Sequence, residues 1–246
     1  MTAEPMAIST AIAIGAETRA IGWPSVEAER TAAPDTRRSA TATTYAIAKR
    51  LLDVIAAAGL MLVLLPALAL IGAAIVLESG WPVFYRGTRV GRHGSRFTVL
   101  KFRSMRAGCD QSPHVAFVRG LMRGETPCAL YKVTDDRRIT RVGAFLRRSS
   151  LDELPQLWNV LRGEMTLVGP RPDVPYAVAE YAEWIRSRLE VKPGITGLWQ
   201  VSGRSRLSLL EMYRLDQRYV ANASLLLDLR IIWHTVPVVL GRDGAA

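Results

Sequence analysis

The widest apolar interval in the chain runs from Val54 to Leu77, 24 residues without a charge. As a helix it would be about 36 Å long, more than the roughly 30 Å of a bilayer's hydrocarbon core. Both flanks are basic: Arg37, Arg38, Lys49 and Arg50 precede it, and Arg86, Arg89 and Arg92 follow. Basic flanks stay in the cytoplasm, so a simple span would leave one of them on the wrong side. Pro66 sits mid-segment, where it removes a backbone donor and crowds the preceding turn; Gly59 and Gly72 weaken the helix further. The pattern favours a broken helix over residues 45–80 that enters and leaves on one face, with Tyr45 and Trp81 as interfacial anchors. A single span is the competing reading.

Beyond this segment the periods shorten. Residues 82–85 and 97–103 read as strands, joined by the turn Gly91–Ser95. On the second strand Lys101 and Arg103 take one side and Phe102 the other. Residues 106–136 are polar and punctuated by Gly, Pro and Asp, an irregular insertion with room for one short helix. Residues 141–161 are helical in pattern and contain an acidic pair that allows two caps. Ser150 with Glu153 would make a capping box. Asp152 as N-cap would instead put Pro155 at N3, where no bonded donor is lost, and Pro155 favours this second arrangement.

Residues 176–191 form an amphipathic helix with Tyr181, Trp184, Ile185 and Leu189 apolar, and residues 207–220 form another. Residues 224–240 are apolar but carry Asp228 and Arg230 and stop at Pro237, so they pack in the core or lie along a membrane surface. Residues 1–44 are rich in Ala, Thr, Ser and Glu without a durable period and read as a disordered tail. Ala7–Ala16 is apolar but lacks a basic stretch in front, which argues against a secretory signal. The expected class is α+β, mostly helical: a tail (1–44), a re-entrant membrane helix (45–80) and one further domain (81–246) with amphipathic surface helices and a small β-hairpin.

Charge sharpens this picture. The formal net charge is +10, and residues 1–44 hold four Arg against five acidic residues, so the excess lies entirely beyond them. A basic body calls for an anionic partner: nucleic acid, an anionic membrane surface or a phosphorylated substrate. Cys109 and Cys128 fall in no metal-binding spacing and fit free thiols in a reducing compartment. His93, His114 and His234 are too scattered for a histidine metal site.

Candidate chemistry gathers around Asp152 and Glu153. Acidic residues in a first helical turn are usually caps. Here, however, Arg147 and Arg148 stand just before the pair and Arg171 just after it. Carboxylates beside arginines are what phosphoryl transfer needs: a nucleophile or metal ligand, and cations for phosphate oxygens. Arg171 lies between two prolines in Gly169-Pro170-Arg171-Pro172, a stiff loop that can aim its guanidinium. A second Gly-rich stretch, Lys192 to Gly197, leads to Val201-Ser202-Gly203-Arg204. The chain carries no Walker A loop, dinucleotide glycine fingerprint, nucleophile elbow or nucleic-acid module signature. A membrane-anchored basic protein that binds anionic lipid or nucleic acid without catalysis is the alternative, but such a module has no use for an acidic pair beside Arg171.

Three stretches together carry a resemblance: Ser150-Leu151-Asp152-Glu153-Leu154-Pro155-Gln156-Leu157, then Val168 to Pro172, then Lys192 to Arg204. With Lys101-Phe102-Arg103-Ser104-Met105 and a membrane segment centred on Pro66, the chain resembles the bacterial sugar transferases, monotopic polyprenyl-phosphate sugar-1-phosphate transferases, over residues 45–240. The resemblance implies transfer of a sugar 1-phosphate from a UDP-sugar to undecaprenyl phosphate with release of UMP, at the cytoplasmic face of the bacterial inner membrane, and no nucleic-acid partner. It implies Asp152 as nucleophile through a phosphosugar intermediate, Glu153 as catalytic partner and Mg²⁺ ligand, and Lys101, Arg103, Arg147, Arg171 and Arg204 as substrate contacts. Asp228 matches an acidic position in the family's last helix and is implied as a further substrate contact. A homodimer is left open, and no residue reads as a selector for one sugar.

Overall fold

The computed structural model describes residues 36–106, 112–122 and 138–240. The expected tail before residue 36, Cys109, Cys128 and most of the insertion lie outside the described residues. The described residues from Tyr45 onward form one compact unit.

The apolar interval forms α1 (Thr36–Ser79), 44 residues that run through Pro66 as one helix and start well before Tyr45. Only 6% of its most apolar stretch is buried, so it is no core helix. Leu62 and Val63 are each 75% exposed. Polar residues on its first turns within the compact unit dock instead. Arg50 donates to the carbonyls of Val160 (2.6 Å) and Leu161 (2.8 Å), and Asp53 accepts from the Thr166 hydroxyl (2.7 Å) and the Leu167 amide (2.9 Å). Its last turns dock as well. Ile75 joins Val83, Phe102 and Leu146 in a buried cluster, with Leu68, Ile71 and Val76 packed against it. Full burial of each such side chain contributes about 1.5–3 kcal/mol.

A hairpin follows, β1 (Phe84–Val90) antiparallel to β2 (Arg96–Phe102), with Phe84 opposite Phe102. The first strand begins later and runs further than residues 82–85. α2 (Ser112–Met122) is the short helix of the insertion.

Residues 141–161 are not one helix. α3 (Arg141–Arg148) is capped by Thr140, whose side chain accepts from the Gly143 amide, and the Glu78 carboxylate accepts from the Arg141 and Val142 amides (2.7 and 2.9 Å). A 3-10 turn covers Leu151–Glu153, and α4 (Gln156–Arg162) starts after Pro155. Residues 176–191 divide similarly into α5 (Pro175–Val178) and a 3-10 helix, Glu183–Glu190.

β3 (Thr166–Val168) and β4 (Gly194–Thr196) pair in parallel, an element the apolar pattern does not announce because three residues carry no period. α6 (Leu198–Ser202), α7 (Leu209–Ala221) and α8 (Leu225–Leu240) complete the fold, the last two close to their expected bounds, although α8 runs through Pro237 instead of stopping there. Ser208 and Glu211 close a capping box at the start of α7.

Candidate active site

The site is built on a break. Ser150 takes a left-handed conformation (φ 57°), which ends the helical run and swings the chain into the 3-10 turn carrying the acidic pair. A non-glycine residue there costs energy and marks a position held by its surroundings. Asp152 is therefore not the N-cap expected from Pro155. Its carboxylate caps nothing, and among the described residues no hydrogen bond or ion pair holds it. It is 8% exposed. Burial, then the neighbouring Glu153 charge, push its pKa up to about 6 against the pull of Lys101, Arg171 and Arg147.

Glu153 has the opposite surroundings. Its Oε1 accepts from the Lys101 ammonium at 2.7 Å, and the Arg171 guanidinium grips both oxygens, with Nη1 to Oε2 at 3.0 Å and Nη2 against Oε1. Burial alone would raise its pKa, but Arg171 and then Lys101 hold it far below the usual carboxylate range. Lys101 is itself lowered, by burial first. Two adjacent carboxylates thus divide into one committed anion and one unbonded group, a separation typical of catalytic acid pairs.

Three elements bring these cations in. β2 carries Lys101, and Asn159 on α4 locks that strand by accepting from the Leu100 amide (3.0 Å) and donating to the Thr98 carbonyl (2.8 Å). Arg171 stands on the loop after β3. There Gly169 and Gly194 meet backbone to backbone; a Cβ on Gly194 would lie 2.1 Å from the Gly169 nitrogen, so no other residue fits. Arg204, on the 3-10 turn after α6, points its Nη2 to the Ser150 hydroxyl at 3.3 Å. Burial lowers its pKa, and Glu153 and Arg171 lie close enough to act on it. Arg147 is exposed at the end of α3 and acts on Asp152 through its charge.

The structure gathers Lys101, Arg147, Arg171 and Arg204 around the pair but puts Arg103 and Asp228 elsewhere. β2 ends at Phe102, so Arg103 does not continue its alternation. It is 6% exposed and donates to Ser79 and Gly80 at the end of α1, at 2.9 Å and 2.5 Å to their carbonyls. Asp228 is 1% exposed and binds Lys49 (2.7 Å), the Tyr45 hydroxyl (2.9 Å) and the Tyr219 hydroxyl (2.7 Å). Lys49 also donates to the Val168 carbonyl at 3.0 Å, so this cluster ties α1 to the end of β3. Pro66 lies away from the acidic pair, inside α1. Sequence reading missed Ser150 as a hinge, Lys49 as the partner of Asp228, and Asn159. Only Asn159 left a signal, a lone amide between Trp158 and Val160.

Among the described residues no group of three or more His, Cys, Asp or Glu side chains forms a metal cage. Mg²⁺ needs no such cage; it is commonly held by one or two carboxylates plus substrate phosphates and water. The Asp152–Glu153 pair fits that mode.

An unbonded carboxylate with a raised pKa thus stands among four cations in a chain that also carries one long, exposed apolar helix. The bacterial sugar transferase family profile matches residues 44–242, and the chain belongs to that family. It is 44% identical over 198 residues to the UDP-galactose-lipid carrier transferase of Erwinia amylovora, covering 80% of this chain and 41% of that protein. To the exopolysaccharide production protein ExoY of Rhizobium meliloti it is 42% identical, over 81% of this chain and 88% of that one. The UDP-glucose:undecaprenyl-phosphate glucose-1-phosphate transferase of Caulobacter vibrioides is 43% identical over 80% of this chain and 71% of its own length. The chain spans less than half of the Erwinia relative and of the similarly related galactosyl transferase CpsE of Streptococcus agalactiae.

Proposed function

We propose that this protein transfers a sugar 1-phosphate from a UDP-sugar to a polyprenyl phosphate, undecaprenyl phosphate in the cell, and so starts a lipid-linked glycan such as an exopolysaccharide. The observation that carries this reading is the unbonded Asp152 carboxylate beside a Glu153 clamped by Lys101 and Arg171. A carboxylate nucleophile must be free of hydrogen-bond partners, able to ionise, and surrounded by charges that stabilise the leaving group. A carboxylate oxygen of Asp152 attacks the sugar-bearing phosphorus. The bond from that phosphorus to the bridging oxygen breaks, and UMP leaves with the oxygen and its electron pair. An oxygen of the polyprenyl phosphate then attacks the same phosphorus and breaks its bond to Asp152. The lipid leaves as a sugar diphosphate and the carboxylate is restored.

Arg171, Lys101 and Arg204 bind the pyrophosphate oxygens and offset the charge that grows on departing UMP. In the free protein Glu153 occupies Arg171 and Lys101; an arriving pyrophosphate takes over these cations and releases a carboxylate oxygen. Glu153, with Asp152 beside it, would then hold Mg²⁺, which supplies further positive charge at the pyrophosphate.

The acceptor is a lipid, and α1 sets the site's depth. Support for a one-faced anchor comes from its two ends: Arg50 and Asp53 bond to α4 and β3, while Ile75 packs against Phe102 of the hairpin and Leu146 of α3 and Glu78 bonds to α3, all in the same compact unit. Both ends of the apolar stretch then lie at the cytoplasmic face of the plasma membrane, with Leu62, Val63, Leu65 and Leu70, around Pro66, dipping into lipid. The test is UMP release from a panel of UDP-sugars by purified protein with Mg²⁺, with and without undecaprenyl phosphate. Lipid-dependent release from one donor supports the reading; no release from any nucleotide sugar refutes it.

A further inference from the structure

The loop that aims Arg171 has an unusual problem of support. Pro170 and Pro172 have no N–H, so the loop can be held mainly through its carbonyls. Two are satisfied by backbone: the Pro170 carbonyl accepts from the Gly194 amide (2.9 Å) and the Asp173 carbonyl from the Val90 amide (3.0 Å). Between them, the carbonyl of Arg171 itself accepts from Nη2 of Arg188 at 2.8 Å.

Arg188 is 5% exposed and fixed in every direction. Its Nε donates to Asp216 (2.8 Å), and its Nη1 donates to Asp173 (2.8 Å) and contacts the Tyr181 hydroxyl. Tyr181 and Tyr213 donate to the same Asp173 oxygen at 2.6 and 2.9 Å. The guanidinium carbon lies 4.4 Å from the Tyr213 ring centre. Asp216 is fully buried, and its Oδ1 has no partner; burial pushes its pKa up to about 7. A buried cation with two carboxylates, one of them only partly bonded, is a costly way to build a core, and an apolar cluster would serve stability as well. What an apolar cluster could not supply is a rigid, planar donor fork held against one carbonyl.

We propose that Arg188, braced by Asp173 and Asp216, is a positioning residue that sets the direction of the Arg171 guanidinium toward the donor's pyrophosphate. This rests on the sugar-phosphate transfer reading above. Arg188 touches no substrate and acts only through Arg171.

A double-mutant cycle with UDP as probe tests it, using the full chain purified in detergent and isothermal titration calorimetry. Arg188→Lys keeps the charge but lacks the planar fork that reaches Asp216, Asp173, Tyr181 and the Arg171 carbonyl together. It weakens UDP binding about tenfold in the wild-type background and less than about twofold in an Arg171→Ala background, while the two melting temperatures fall alike. Arg186→Ala, an exposed neighbour, leaves UDP binding unchanged. Should Arg188→Lys fail to fold, Asp216→Asn, which loosens only the Nε contact, goes through the same cycle. Equal loss in both backgrounds, or no loss in either, overturns the positioning role alone. Wild-type protein that binds no UDP overturns both this assignment and the reading on which it rests.

Discussion

Adjacent carboxylates with opposite surroundings should respond oppositely to neutralisation. In the folded protein burial and Glu153 raise Asp152 from 3.8 to about 6. The fold therefore favours its protonated form. The stability this group contributes is fully present below the unfolded value and is lost as pH rises through about 6. A difference of about two units corresponds to roughly 3 kcal/mol at pH 7.5. Asp152→Asn removes that cost without removing a hydrogen bond, so the variant should be more stable than wild type by about that much. For a chain of this size that is a rise of roughly 6 to 12 °C in melting temperature. The gain should shrink by about half near pH 5 and vanish below about pH 4. Glu153→Gln works the other way: it leaves Lys101 and Arg171 without their shared anion and should cost about 3 kcal/mol. Thermal unfolding in detergent across that pH range reads both. An Asp152→Asn protein no more stable than wild type, or a gain unchanged from pH 7.5 to 4, would refute the charge assignment.

Other consequences follow from the same geometry. With Asp152 as the proposed nucleophile, turnover should rise with pH through about 6 and level off above it; a rate that falls over this interval argues for Asp152 as an acid instead. Asp228→Asn should destabilise by about 3 kcal/mol by leaving the half-buried Lys49 unpaired, measured as a lower melting temperature. Cysteines placed near Thr44 and at Gly80 should be labelled from the same side of the membrane; labelling from opposite sides contradicts the one-faced anchor. Chelation by EDTA should abolish turnover, and Mg²⁺ should restore it; full activity in EDTA removes Glu153 from the role of metal ligand.

What the sequence made legible was what local chemistry determines. A long uncharged interval yields α1, an amphipathic period yields α7 and a second apolar run yields α8. The acidic pair and its arginines are neighbours in the chain or in short motifs, so most of the site could be named before it was seen. Long-range choices were not legible. Asp228 finds Lys49 across 179 positions, and nothing local distinguishes that pairing from a substrate contact. Arg103 follows the strand's alternation in sequence, yet the strand ends one residue earlier and the side chain turns to Ser79. Ser150 adopts a backbone conformation that its identity does not announce, and the helix expected over residues 141–161 breaks there. Arg188 lies within the amphipathic stretch 176–191, and only the fold places Asp173 and Asp216 beside it.

The most direct test of the account is mass spectrometry of the protein incubated with its UDP-sugar and Mg²⁺ in the absence of lipid acceptor. One sugar-phosphate adduct is expected on the peptide bearing Asp152, released when undecaprenyl phosphate is added and absent from Asp152→Asn. Lipid-dependent UMP release without any adduct, together with turnover by folded Asp152→Asn, would contradict it.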